Sequence, residues 1–113
     1  MGVYDDRPWL ARYGDEMPAD LAPEHESALA MFEAAVRRRP YSVLLRYFGS
    51  SLTLAEADRL SGAIAAGLLD LGVTRGDRVA LYLQNVPQYV LAMIAAWKAG
   101  AIVVSINPMN RER

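Results

Sequence analysis

A chain of 113 residues with 53% hydrophobic side chains can bury one modest core and is too short for two. It has no cysteine, which excludes disulfides and thiolate metal sites, and its single histidine, His25, has no second imidazole to share a metal with. The net charge of −1 at pH 7 argues against a nucleic-acid partner, and neither a membrane span of roughly 18 apolar residues nor a signal-peptide core in Met1 to Leu10 is present, so the expected location is cytoplasmic.

Residues 1–26 read as an extended acidic arm. Asp5, Asp6, Asp15, Glu16, Asp20, Glu24 and Glu26 outnumber Arg7 and Arg12, and Pro8, Pro18 and Pro23 leave no room for a long helix. Trp9, Leu10 and Tyr13 are its apolar anchors, laid either over their own domain or against another subunit. Residues 27–113 form the folded part. Ser27 to Arg38 predicts a helix with Leu29, Phe32 or Glu33, Val36 and the alanines as a partial stripe. It ends on Arg37-Arg38-Arg39-Pro40, with cations at the negative end of the dipole and a proline as the stop. The three arginines read as a solvated helix end, with a phosphate or anionic-lipid patch as the sharper alternative.

Tyr41 to Thr53 predicts a β-hairpin: Val43 to Phe48 is one strand, Gly49-Ser50 the turn, and Ser51 to Thr53 the return. Thr53 also opens a capping box with Glu56, ahead of a helix whose apolar row is Ala57, Leu60, Ile64, Leu68 and Leu71. Gly72 closes it. Gly62 and Gly67 inside that helix cost roughly 1 kcal/mol each relative to Ala, which suggests that another backbone approaches closely at each.

Gly72 to Pro108 then carries the elements of one β-α-β unit. Arg78 to Leu83 is a short strand after the Gly76-Asp77 turn, and Ala101 to Ile106 is a second, β-branched one. Between them a helix starts at Pro87, capped by Asn85 or Val86, and runs to about Ala99, where Gly100 ends it in the left-handed conformation. Strands apolar on both faces belong to a parallel sheet covered on both sides, joined by a right-handed crossover. The fold class is therefore α/β: a β-hairpin followed by a β-α-β unit with parallel strands flanked by helices.

No reaction centre assembles from these residues. There is no G-x-x-x-x-G-K-[ST] loop, no G-x-G-x-x-G after a strand, and no nucleophile, base and orienter. Ser105 stands at a strand end, but no histidine or glycine elbow accompanies it. Asp77 and Arg78 read as a turn rather than an acid–base pair. Tyr82, Tyr89, Met93 and Trp97 read as core packing, with an acyl pocket as the sharper alternative.

Several motifs nevertheless recur together. Leu52-Thr53 with Glu56, Leu71-Gly72-Val73, Gly76-Asp77-Arg78-Val79-Ala80, Asn85-x-Pro87, Lys98-Ala99-Gly100-Ala101 and Asn107-Pro108 stand in the order and spacing of acyl-CoA synthetases of the adenylate-forming superfamily, which this sequence resembles. Pro8-Trp9-Leu10-x-x-Tyr13 and Met17-Pro18-Ala19-Asp20 are similar to the start of the long-chain fatty-acid branch. The resemblance covers essentially the whole chain.

It implies the N-terminal part of a large AMP-binding domain, with residues 27–113 an incomplete α/β subdomain. It also implies a ligase of fatty acid metabolism that uses ATP, CoA and magnesium (Mg2+). The acid attacks the α-phosphate of ATP to give an acyl-adenylate and pyrophosphate, and the CoA thiol then displaces AMP. The family's phosphate loop, Thr-Glu magnesium motif, ribose-binding Asp, hinge and catalytic Lys have no counterpart here, so no catalytic, cofactor-binding or metal residue is assigned and the fragment alone is expected to be inactive. Some relatives carry a basic residue directly after the Asn-Pro pair; this chain has Met109, with Arg111 and Arg113 beyond. Partners implied are a fatty acid, peripheral membrane contact and a second copy of the chain. The last residues, Asn110 to Arg113, read as the opening of a helix, which leaves sheet edges unpaired and the isolated piece prone to associate. A naturally truncated, non-catalytic interaction or regulatory module is the competing reading.

Overall fold

The computed structural model describes residues 2–110. The acidic arm is not uniformly extended: Pro8–Arg12 winds into a short 3-10 helix, with Pro8 in the first turn where no N–H is needed. Arg7 folds the arm on itself, donating to the Asp20 carboxylate at 2.7 Å and to the Ala19 carbonyl at 2.5 Å.

Helix α1 (Ala28–Arg38) begins where the Ser27 hydroxyl accepts the Ala30 N–H at 3.1 Å. Strands β1 (Val43–Tyr47) and β2 (Ser50–Thr53) pair antiparallel, with Tyr47 opposite Ser50. The turn is therefore Phe48-Gly49, one residue earlier than the sequence suggests. Both residues have positive φ, 43° and 80°, the two-residue geometry whose twist matches that of the strands and which favours glycine at its second position. Seating Gly49 there displaces the left-handed strain onto Phe48.

Thr53 ends the hairpin and caps helix α2 (Leu54–Asp70). Its hydroxyl accepts the Glu56 N–H at 3.2 Å, and the Glu56 carboxylate accepts the Thr53 N–H at 2.8 Å. The buried stripe of α2 is Leu54, Ala57, Ser61 and Ala65. Of the expected row, Ala57 is buried and Leu60 packs against the core, whereas Ile64 is 38% and Leu71 85% exposed. The reason is steric: helix α3 (Pro87–Lys98) presents the fully buried Ala95 and Ala96, so small residues on both helices let their axes approach. Ser61 keeps its buried hydroxyl satisfied by donating to the Asp58 carbonyl at 3.1 Å.

The two helix glycines do not mark close backbones. A Cβ on Gly62 would meet only Lys98 Nζ, at 3.7 Å, and one on Gly67 would meet nothing within 4 Å. Lys98 instead ties the helices together, donating to the Asp58 carbonyl at 2.8 Å and to its carboxylate at 2.7 Å, with its ammonium 5.9 Å from the Phe32 ring centroid. Phe32, Leu54, Ala57, Leu91 and Ile94 form the core, and Leu29, Val36, Leu60 and Trp97 pack against it. Each large apolar side chain so buried contributes about 1.5–3 kcal/mol.

Strands β3 (Arg78–Leu81) and β4 (Ile102–Ser105) pair parallel, from Arg78 opposite Ile102 to Leu81 opposite Ser105. Gly100, at φ 76°, ends α3 and turns the chain back into β4. The face of Val79, Leu81, Val103 and Ser105 lies towards α3. On the opposite face Ile102, Val104 and Ile106 are 49%, 38% and 38% exposed, so among the described residues the sheet is covered on one side rather than two.

Candidate functional site

The parallel strands end side by side, the Ile106 N–H donating to the Leu81 carbonyl at 3.0 Å, and their continuations then diverge. From β3, residues 82–86 climb to α3, whose cap is Val86 in extended conformation; the Asn85 side chain does not cap it. From β4, Asn107-Pro108 forms a turn: the Asn107 side chain accepts the Met109 N–H at 2.9 Å and its carbonyl accepts the Asn110 N–H at 3.0 Å. The Tyr82 hydroxyl reaches across, 3.0 Å from the Pro108 carbonyl and 3.1 Å from that of Asn110. It holds the turn against the strand that precedes α3.

Between the two continuations lies an open cleft of about 570 Å³, lined among others by Gln84, Asn85, Tyr89, Ser105, Asn107 and Met109. Ligands of open α/β sheets bind outside the carboxyl ends of the strands, which is where this cleft sits. Tyr89, on the first turns of α3, and Ser105, at the end of β4, share a hydrogen bond between hydroxyls across it. The polar groups named are neutral amides and hydroxyls, beside the Met109 thioether. They can orient a polar group by hydrogen bonding but offer no base to raise the nucleophilicity of Ser105, whose partner is a phenol.

The other candidates disperse. Asp77 accepts the Thr74 N–H at 2.7 Å and the Thr74 hydroxyl at 3.1 Å, and these hold its carboxyl below the usual carboxylate range, as a turn residue's would be. Of Tyr82, Tyr89, Met93 and Trp97, Tyr89 lines the strand-end cleft, whereas Trp97, near the far end of α3, packs on the core and borders a separate hollow with Leu29 and Arg75. Arg37, Arg38 and Arg39 are exposed at the end of α1. Among the described residues no group of three or more His, Cys, Asp or Glu converges as a metal site, so they do not fit a magnesium ion held by a protein ligand cluster. No helix among them is long and apolar enough to cross a membrane.

Sequence reasoning did not find the Tyr82 bridge or the Tyr89–Ser105 pair. The Asn-Pro dipeptide signals the turn, but both contacts depend on the register of β3 against β4, which periodicity does not encode.

The antiparallel hairpin, the α2–α3 layer and the parallel β-α-β unit define the start of an adenylate-forming domain, and the chain belongs to the AMP-binding enzyme family, whose profile matches residues 32–113. The N-terminal subdomain of NpsA from Klebsiella oxytoca, solved with anthranilyl-AMSN, superposes with a TM-score of 0.76 at 28% identity, over 80% of this chain and 24% of that one. O-succinylbenzoate coenzyme A synthetase from Bacillus subtilis, solved with AMP, gives 0.68 at 28% identity, over 71% and 21%.

Among relatives by sequence, the long-chain-fatty-acid–CoA ligase of Yersinia pestis is 38% identical over 107 residues, 93% of this chain and 19% of that protein. A 4-coumarate–CoA ligase of Humulus lupulus is 45% identical over 60 residues, covering 53% of this chain and 11% of its own length. The chain thus spans 19% of the length of the long-chain ligase it matches.

Proposed function

We infer that this chain is the N-terminal portion of an ATP-dependent long-chain fatty-acid–CoA ligase. The observation that carries the reading is the extent of similarity. The match to the Yersinia pestis long-chain ligase covers 93% of the chain and so reaches into the acidic arm, whereas that to the 4-coumarate ligase covers 53%. In the whole polypeptide a fatty carboxylate attacks the α-phosphate of ATP, pyrophosphate leaves, and CoA sulfur displaces AMP to give the thioester. Magnesium supplies charge neutralisation at the phosphates in such chemistry. No step is assigned to it here, because the described residues offer no acidic cluster to hold it.

The part played by these residues is architectural. The α2–α3 layer fixes β3 and β4, and the strand ends present a neutral, hydrogen-bonding wall formed by Asn85, Tyr89, Ser105 and Asn107. Peripheral membrane contact belongs to the same reading, because a free long-chain acid partitions into bilayers.

The test is to capture, from source cells, the polypeptide that carries this sequence with an antibody against residues 1–26 and to measure its mass and activity. The expected species is several times heavier than 12.5 kDa and forms acyl-CoA from long-chain acids only when both ATP and CoA are supplied. A species near 12.5 kDa that forms no thioester would overturn the reading in favour of a non-catalytic interaction module.

A further inference from the structure

A single hydroxyl holds one wall of the strand-end cleft. After the Ile106 N–H closes the last ladder bond, on the Leu81 carbonyl, β4 runs on into residues 107–110, which bond among themselves through Asn107. Among the described residues, the hydrogen bonds that tie this segment to the rest of the fold are those of the Tyr82 hydroxyl, 3.0 Å from the Pro108 carbonyl and 3.1 Å from the Asn110 carbonyl. A phenol has one proton to give, so the two carbonyls share it. Tyr82 stands directly after β3, 26 and 28 residues from its acceptors, and the contact therefore crosses from one strand continuation to the other.

Tyr82 does not itself line the cleft, but Asn107 and Met109, on the turn it holds, do. The facing wall comes from Gln84, Asn85 and Tyr89, and Tyr89 meets Ser105 across the gap. The spacing of the walls thus depends on where residues 107–110 stand, and the phenol sets that. Tyr82 is 54% exposed, so water competes for the same carbonyls and the contact fixes a position more than it stabilises the fold.

We propose that Tyr82 is a positioning residue for a polar substrate: it fixes the Asn107 wall opposite Asn85 and Tyr89, so that both walls can bond one uncharged, hydrogen-bonding group. The described lining carries amides and hydroxyls and no charged side chain, which suits such a group better than a polyphosphate or an alkyl chain. The inference rests on the ligase reading above. In that reading ATP and CoA carry uncharged polar parts, a nucleoside in both and an amide arm in CoA, whereas the fatty acid offers only a carboxylate and an alkyl chain.

The experiment compares steady-state kinetics of the whole polypeptide with and without the phenol oxygen. Tyr82→Phe keeps the ring and removes only the hydroxyl. It is expected to raise KM for ATP or for CoA about fivefold, to leave kcat and the KM for the fatty acid within about twofold, and to hasten deuterium uptake in the peptide over residues 106–110. A rise for ATP, seen also in ATP–pyrophosphate exchange without CoA, assigns the nucleoside to the cleft; a rise for CoA alone assigns the amide arm. Tyr41→Phe, which removes a hydroxyl from a side chain 86% exposed elsewhere, is expected to change none of these. Parent-like KM values for both ATP and CoA in Tyr82→Phe, or parent-like deuterium uptake, would overturn the proposal. So would an equal rise for all three substrates, which a general loosening of the fold would give, or a rise for the fatty acid alone, which would turn the wall towards the alkyl chain. Thioester formation by the parent tests the ligase reading; the ratio of variant to parent tests this one.

Discussion

Three glycines give a test of the α2–α3 architecture in which one chemical change, Gly→Ala, has three different outcomes. Gly67 lies in the body of α2 with nothing within 4 Å of the position a Cβ would take. Alanine there gains the full helix-propensity difference, about 0.8–1.0 kcal/mol. At Gly62 the new methyl meets Lys98 Nζ at 3.7 Å, an ordinary contact. The gain is about 0.5–1 kcal/mol, trimmed because the methyl displaces water from the ammonium. At Gly100 the backbone holds φ 76°, and a Cβ would stand 3.3 Å from Arg75 Cγ. Left-handed strain of about 1–2 kcal/mol then adds to the crowding, and the variant loses stability.

Urea denaturation followed by far-ultraviolet circular dichroism measures all three. The midpoint should rise for Gly67→Ala and Gly62→Ala and fall for Gly100→Ala, with the slope unchanged. Each kcal/mol corresponds to about 4 °C in Tm for a domain of this size. A Gly67→Ala variant less stable than the parent would refute the reasoning, because it would mean that another backbone packs where the structure places open space.

Other perturbations follow from the same packing. Trp97→Ala should lower stability by about 3 kcal/mol as a core truncation, with chain-length preference of the whole ligase unchanged. A clear shift in the preferred acyl chain would return Trp97 to an acyl pocket. Lys98→Met should cost about 1 kcal/mol, because the Asp58 side chain it pairs with is 43% exposed and solvent screens the pair; a double-mutant cycle with Asp58→Asn isolates that coupling. Glu56 and Asp77 titrate below their ordinary values, each chiefly through a backbone N–H, of Thr53 and Thr74 respectively. Since their folded-state pKa values are depressed, their contribution is present above the ordinary carboxylate range and is lost as the pH falls through and below it. Stability against pH should therefore decline on the acid side, and the double variant Glu56→Gln, Asp77→Asn should flatten that decline.

The legible parts of the fold were those written in local chemistry. The Thr53–Glu56 box, the Pro87 start of α3, the left-handed Gly100 and the parallel pairing of β3 with β4 all follow from short-range signals and stand in the structure as read. What periodicity misplaced was rotation and register. The α2 stripe turned towards Ser61 and Ala65 because its partner helix offers alanines, and the hairpin turn moved to Phe48-Gly49 because strand twist selects where glycine sits. The cleft was legible only as a location, the strand ends. Its Tyr89–Ser105 and Tyr82–Pro108 contacts join residues whose meeting is decided by sheet register.

The Lys98–Asp58 bridge joins residues 40 apart in the chain, and that separation has a consequence in time. During synthesis α2 is complete long before Lys98 is polymerised. From Asp70 to Lys98, at about 5–20 residues per second, the interval is roughly 1–6 s. Throughout it Leu54, Ala57 and Ala65 have no α3 to close over them, so the nascent chain exposes an apolar helix face at a known point in its elongation. Ribosome-bound chains stalled so that α2 has left the exit tunnel while α3 is still inside it should therefore bind a holdase chaperone, and chains stalled after α3 has also emerged should release it.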